Sequence, residues 1–274
     1  IDALAVTVGA GLAPALEVGI AKIKELAKKY KKPVIAVNHM EAHFLSSLAK
    51  NSQGNGPFSR TKIQFPVLGL LVSGGHTQLV LMKKIGLYQL LGETIDDAAG
   101  EAFDKVAKML NLGYPGGPII SEFAKKGKPV YGLPLAMADS KNLNYSFSGL
   151  KTACLYKIRD LAKEKKFNKQ FYYDFAASFE DAVIKSLMLK FKRAIVSFKP
   201  KQVFLGGGVI SNERLRRSAR KVAKEYGIRV FQPYSEKLFT DNGAMVGICA
   251  FYQAQRGDFV KDIEKLDRQP NLNF

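Results

Sequence analysis

Two histidines stand one helical turn apart in the stretch "VNHMEAHFLSSL", His39 and His43, in a chain that has only three. On a helix, side chains at i and i+4 share a face, about 6 Å apart. Two imidazoles so placed can share one metal ion, with Zn²⁺ or Fe²⁺ the usual occupants. The plainer alternative is a pair of partly buried, hydrogen-bonded histidines, and spacing alone does not choose between the two. It does exclude the zinc-protease pattern, which needs a glutamate directly after the first histidine to serve as base. Met40 stands there instead, and Glu41 points round the helix away from both imidazoles. A third ligand must come from elsewhere, most naturally a carboxylate.

Four other stretches offer polar chemistry at turns. "LLVSGGHTQLV" places Gly74 and Gly75 at a strand end, where successive backbone amides can cradle a phosphate. An ordinary hairpin turn explains the glycines equally well, but Ser73, Thr77 and the third histidine, His76, make this turn unusually polar. "FLGGGVISNERLR" ends a strand in three glycines and opens a helix near Asn212, a place for a nucleotide's phosphates or ribose. "GYPGGP" reads as two turns in succession. In "TDNGAMVG", Asp241 and Asn242 either cap the last helix or leave the Asp241 carboxylate as the missing metal ligand.

The elements that must position these groups alternate between strand and helix. "IDALAVTV" reads as a buried strand, and Leu16, Ile20, Ile23, Leu26, Ala27 and Tyr30 then follow helical spacing up to Pro33. "VIAV" is the next strand, so a parallel sheet is expected. "VLGLLVS" and "TQLVLMKK" form two more strands. Asp97 to about Ser197 is mostly helical. "QVFL" returns to strand, followed by the helix "NERLRRSARKVAKEYG", the strand "IRVFQP" and a last helix over about 242–255.

The chain has 274 residues, 47% of them hydrophobic, which is ample for a core. No apolar run reaches the ~18 residues of a transmembrane helix, and no membrane partner is expected. The two cysteines, Cys154 and Cys249, read as buried free thiols in a reducing cytoplasm. Lys and Arg number 42 against 24 acids, a net +18. Solvated helix faces account for such an excess as readily as a polyanionic partner, nucleic acid above all. The basic residues run through "KIKELAKKYKK", "KKGK", "KEKKFNK" and "RLRRSARK", so a folded electrostatic surface is expected, to which Arg216, Arg217 and Arg220 contribute if their helix belongs to that face.

In this order, "NHMEAH", "LLVSGGHTQL", "DDAAGEAFDKVAKMLNLGYPGGP", "YSFSGLKTA", "GGGVISNERLR" and "TDNGAMVG" resemble the universal tRNA threonylcarbamoyladenosine synthase family, its bacterial branch above all. This transferase family was once mislabelled an O-sialoglycoprotein endopeptidase. The resemblance runs over essentially the whole chain. It implies an α/β protein with the actin, sugar-kinase and Hsp70-like fold, two lobes around a nucleotide cleft, with the family's opening strands missing from this chain. Residues 1–66 would be the remainder of the first lobe, to which 243–274 return. Residues 67–242 would be the second lobe, with a helical insertion over about 93–200.

The implied activity is transfer of a threonylcarbamoyl group from its adenylate to the exocyclic amine of the adenosine beside the anticodon. By resemblance, His39, His43 and Asp241 hold one divalent ion, Fe²⁺ first and Zn²⁺ second. Leu71, Val72, Ser73, Gly74 and Gly75 hold the adenylate phosphate, whether of threonylcarbamoyl-AMP or of ATP or ADP. Asp104, Gly117 and Asn212 make further substrate contacts. Some members carry an acid where this chain has Ser121. No residue stands out as general base, His76 being the best placed. The implied partners are tRNA, an inactive paralogous subunit and a small ATPase subunit, in the cytoplasm. Two other classes fit the same fold: a non-catalytic nucleotide-binding scaffold paralogue, which should lack the two histidines and the aspartate, and a small-molecule kinase, which would not need them.

Overall fold

The structure, a computed structural model, describes residues 1–58, 62–135, 137–163 and 167–274. Among these residues the chain forms two sheets and eight α-helices. Strand β1 (Leu4–Gly9) and strand β2 (Val34–Asn38) pair in parallel through helix α1 (Ala13–Tyr30). α1 starts at a proline and buries Leu16, Ile20, Ile23 and Ala27 along one stripe. Lys28 and Lys29 sit at its negative end. It stops at Lys31, which turns left-handed and returns its N–H to the Ala27 carbonyl. The C-terminal segment comes back to this unit. Val260 N–H bonds the Val34 carbonyl, Gln269 N–H bonds that of Val8, and Ile263 and Leu266 pack over Ile23 and Ala27.

Helix α2 (His39–Leu45) follows β2 directly. The second sheet holds β3 (Val67–Val72), β4 (Thr77–Lys84), β5 (Leu87–Glu93), β6 (Gln202–Gly206) and β7 (Arg229–Phe231) in the order β5-β4-β3-β6-β7. β3, β6 and β7 are parallel, while β4 and β5 run antiparallel. β5 is absent from the sequence reading. It lies at the sheet edge with exposed and half-buried positions, so "LYQLLGE" lacks the apolar run of its neighbours.

Alternation along the strands divides two cores. Leu68, Leu70, Val72, Leu79, Val203 and Leu205 face helices α3 (Ala99–Met109), α4 (Gly116–Ala124), α5 (Ser148–Lys163), α6 (Lys169–Phe198) and α7 (Glu213–Glu225). Val67, Leu71, Val80, Met82 and Phe204 face α2 and α8 (Gly243–Arg256). α2 packs on β3 and β6, and α8 packs on α2, β1 and β2, so this helix pair joins the two sheets.

The expected helical stretch is broken over 125–135 and 137–147, where Gly127, Pro129, Gly132 and Pro134 interrupt it. Lys190, fully buried on α6, donates to the carbonyls of Ser140 and Asn142, each at 2.8 Å, and Arg193 donates to those of Ser140 and Ala138. Carbonyls that a helix would have satisfied are thus met by two cations.

The tip of the Phe44 ring of α2 reaches β3 where Gly69 leaves room. A Cβ on Gly69 would stand 2.8 Å from Phe44 Cζ. Gly69→Val should therefore destabilise the fold by about 1–3 kcal/mol through overpacking, read as a lowered urea midpoint at unchanged m-value.

Candidate metal and nucleotide site

The parallel strands deliver their functional residues from one end. His39 follows β2, Ser73 follows β3 and Gly207 follows β6, all at carboxyl ends, where ligands bind in open α/β sheets. α2 is started by Asn38, whose Oδ1 accepts from the amides of Met40 (2.8 Å) and Glu41 (3.2 Å). That start sets His39 and His43 edge to face, their ring centroids 4.7 Å apart.

Asp241 meets them from the far end of the chain. Its Oδ1 lies 3.4 Å from His39 Nε2 and 3.1 Å from His43 Nε2. Of the two expected caps of α8, Asn242 does the capping, its Oδ1 accepting from Met245 N–H at 2.9 Å. Asp241 is thereby left to the histidines. His43 is fully buried, His39 half-buried and Asp241 exposed. Donors about 2.1 Å from one ion, at angles near 90–110°, stand about 3.0–3.4 Å apart. The two imidazole–carboxylate distances match that spacing. Hydrogen bonds to the histidines hold the Asp241 carboxyl well below the usual range, and burial pushes His43 down against the pull of that carboxylate.

Two glycines of the triplet, Gly206 and Gly207, have a packing role that the sequence did not suggest. A Cβ on Gly206 would meet the His43 carbonyl at 2.6 Å, and Gly207, at φ +90°, is pressed against the backbone of Val72. Both glycines let α2 and β3 lie close to β6. In the other glycine turn, Ser73 N–H is taken by the His76 carbonyl (2.8 Å), and Ser73 Oγ accepts from His76 N–H (3.1 Å). Leu71 and Val72 are buried in the sheet. Gly74 and Gly75 are exposed, with no described atom within 4 Å of an added Cβ, so their amides are the part of the turn open to a ligand. The start of α3 abuts them: a Cβ on Gly100 would stand 2.6 Å from the Ser73 carbonyl and 2.8 Å from Gly74 Cα. Half-buried His76 is pushed below the usual imidazole value by burial and then by the charges of His39 and His43, which places all three histidines in one neighbourhood.

Asp104 accepts from Gly116 N–H at 2.7 Å and ties α3 to the start of α4, beside Gly117. It lines a cavity of about 620 Å³ with Lys108, Asn111 and Tyr114. Asn212 caps α7, its Oδ1 accepting from Leu215 N–H at 2.9 Å. Its Nδ2 donates to Ser121 Oγ (2.8 Å) and to Glu180 Oε1 (2.6 Å). Glu180 escaped the sequence reading, though a signal existed. It is a charged residue on the buried face of α6, four residues after Ala176 and three before Val183.

Arg216 is not on an exposed face. It is buried, donates to the carbonyls of Ile210 (2.6 Å) and Ser211 (2.8 Å), and stacks over Phe239. The other two arginines stay outside, Arg217 on Glu213 and Arg220 on Gln232. Of the charge run "KEKKFNK", residues 164–166 lie outside the described residues.

The sequence model of the tRNA N6-adenosine threonylcarbamoyltransferase family matches residues 1–248. The chain belongs to that family. It is 44% identical over 257 residues to the tRNA N6-adenosine threonylcarbamoyltransferase of Dictyoglomus turgidum, covering 94% of this chain and 73% of that one. With the corresponding protein of Thermotoga neapolitana it shares 43% over 274 residues, 100% of this chain and 78% of that one. Among solved structures, T. kodakarensis HypF superposes with a TM-score of 0.65 at 17% identity, over 96% of this chain and 41% of that one. A full-length HypF in a phosphate- and nucleotide-bound form gives 0.64 at 14%, over 94% and 48%. Likenesses this distant speak for the fold alone, and the fold is the actin, sugar-kinase and Hsp70-like one. Among the described residues no helix is long and apolar enough to cross a membrane.

For this family member, reversing charge on α7 should have opposite results at adjacent positions. Arg216→Glu should cost about 3–5 kcal/mol, as for a broken buried charge contact, while Arg217→Glu, on an exposed side chain, should stay within about 0.5 kcal/mol. Thermal melts of the two variants side by side check this.

Proposed function

We propose that this chain carries out the reaction its family is named for, moving the threonylcarbamoyl group of threonylcarbamoyl-AMP onto the exocyclic amine of the adenosine beside the anticodon of tRNA. The observation that carries the reading is the gathering of the His39, His43 and Asp241 ligand atoms within 4.8 Å of one another, with His76, at the end of the open Gly74–Gly75 turn, near enough to feel their charges. A small-molecule kinase has no use for that trio, and a non-catalytic paralogue has no reason to keep it.

Two imidazoles and a carboxylate at these separations fit one divalent ion, Fe²⁺ or Zn²⁺. Such an ion, when bound, supplies Lewis-acid polarisation of an acyl or phosphoryl oxygen. The rest falls to the chain. The amides of Gly74 and Gly75, backed by the positive end of α3, are placed to hold the adenylate phosphate and to offset the charge it gains as the leaving group. Leu71 and Val72 support that turn from inside the sheet, and Ser73 closes it through His76. Asp104, Gly117 and Asn212 are assigned to the rest of the nucleotide. As the adenosine nitrogen bonds the carbamoyl carbon, the carbon–oxygen bond to phosphate breaks, AMP leaves and the amine loses a proton. His76 is the candidate acceptor by placement. An aryl amine is a weak nucleophile, so holding it in line supplies much of the rate.

The net +18 charge suits tRNA phosphates. Family resemblance supports an inactive paralogous subunit and a small ATPase as partners, and a cytoplasmic setting. We assign residues 1–66 and 243–274 to one lobe and residues 67–242 to the other, with the cleft between them.

Replacing both His39 and His43 by Ala should abolish stoichiometric divalent metal by elemental analysis and stop threonylcarbamoyl transfer to tRNA in the reconstituted reaction. Full metal content in the double variant would sink the metal assignment, and full transfer would sink the catalytic one. Gly100→Ala should displace the Ser73–Gly74 backbone and weaken ADP binding at least about tenfold, a loss of ~1.4 kcal/mol, with the helical circular dichroism signal intact. Unchanged calorimetric affinity would return the turn to an ordinary hairpin.

A further inference from the structure

Glu180 is nearly fully buried, yet no step above uses it. Its two carboxylate oxygens have separate partners. Oε1 accepts from Asn212 Nδ2 at 2.6 Å, and Oε2 lies 3.5 Å from the Arg214 guanidinium, which also holds Asp181. Glu180, Asn212 and Arg214, with Ser121, Lys125 and Arg217, line a cavity of about 390 Å³.

The Asn212 amide is accordingly saturated on its nitrogen side. One Nδ2 proton goes to Glu180 and the other to Ser121, while Oδ1 accepts from Leu215 N–H. Turning the amide over would set Oδ1 against the Glu180 carboxylate and Nδ2 against the Leu215 amide, acceptor on acceptor and donor on donor. A neutral serine at 121 imposes no such bias, since a hydroxyl can donate or accept.

We propose that Glu180 is a positioning residue of the nucleotide site. It locks the Asn212 amide so that only Oδ1, with one lone pair to spare, can meet the ligand, and Asn212 therefore recognises a donor group on the nucleoside. Glu180 reaches the nucleotide only through Asn212. The inference rests on the assignment of Asn212 to the nucleotide site, and the test separates the two.

The probe is ADP by calorimetry, with threonylcarbamoyl-AMP and tRNA in steady-state transfer, on the full chain with the proteins needed for turnover. Glu180→Ala should raise the Kd for ADP and the KM for the adenylate about tenfold, the size of one lost charge-assisted hydrogen bond, with kcat and the KM for tRNA nearly unchanged. Glu180→Gln keeps an acceptor for Asn212 and should recover most of that loss, which also guards against a variant that merely folds poorly. In an Asn212→Ala background, Glu180→Ala should add nothing. An unchanged Kd in Glu180→Ala, or a full additional loss in the double variant, overturns the positioning role while leaving Asn212 in place. An unchanged Kd in Asn212→Ala alone removes Asn212 from the nucleotide site and this inference with it.

Discussion

The close seating of α2 on the five-stranded sheet is the contact on which the rest of the site depends. The Phe44 ring lies over Gly69, and the His43 carbonyl lies over Gly206. Ser46 Oγ donates to that same carbonyl at 2.6 Å, and Ser47 Oγ donates to the Leu205 carbonyl at 3.3 Å. This seating buries His43 completely and aims its Nε2 at Asp241. It has a cost: His43 Nδ1 is buried without a hydrogen-bond partner among the described residues, an arrangement that typically costs about 1–3 kcal/mol.

The other face of α2 shows why the neighbouring carboxylate takes no part. Glu41 is buried against Tyr88, whose hydroxyl donates to it at 2.8 Å, with Arg256 at 3.9 Å. Burial raises its carboxyl above the ordinary range in spite of those partners. The same helix thus sends its histidines to the strand ends and its acid into the packing between α2, β5 and α8. Within one helix turn the face that carries the candidate metal ligands is divided from a structural one by the 100° step between successive residues.

Glycines serve three distinct ends here. Gly69, Gly206 and Gly100 permit backbone or ring contact that any Cβ would block, and Gly207 adds a left-handed φ to the same demand. Gly74 and Gly75 face open space on the side an added Cβ would take, and leave the turn accessible there. Basic residues divide similarly. Lys105 and Lys151 meet Asp97, Arg214 holds Asp181 and Glu180, and Arg216 braces the loop before α7. These four residues brace the fold as well as adding to the positive charge.

Much of this was legible in the sequence by itself. Periodicity gave α1, β2, β3, β4, β6, α7 and α8, because each buries one clear stripe or a full apolar run. The i, i+4 histidines announced a shared face, and ordered motifs announced the family. The edge strand β5 and the irregular segment over 125–135 and 137–147 were not legible, since one buries little and the other is held by cations 50 residues away. Only tertiary structure could decide between Asp241 as a helix cap and Asp241 as the histidines' partner, because both roles use the same residue type and differ in what lies opposite. It also decided that Gly206 and Gly207 serve packing, that Arg216 is buried, and that Glu180 reaches Asn212. Each of these depends on an atom far away in the chain, and local propensity carries no information about such a neighbour.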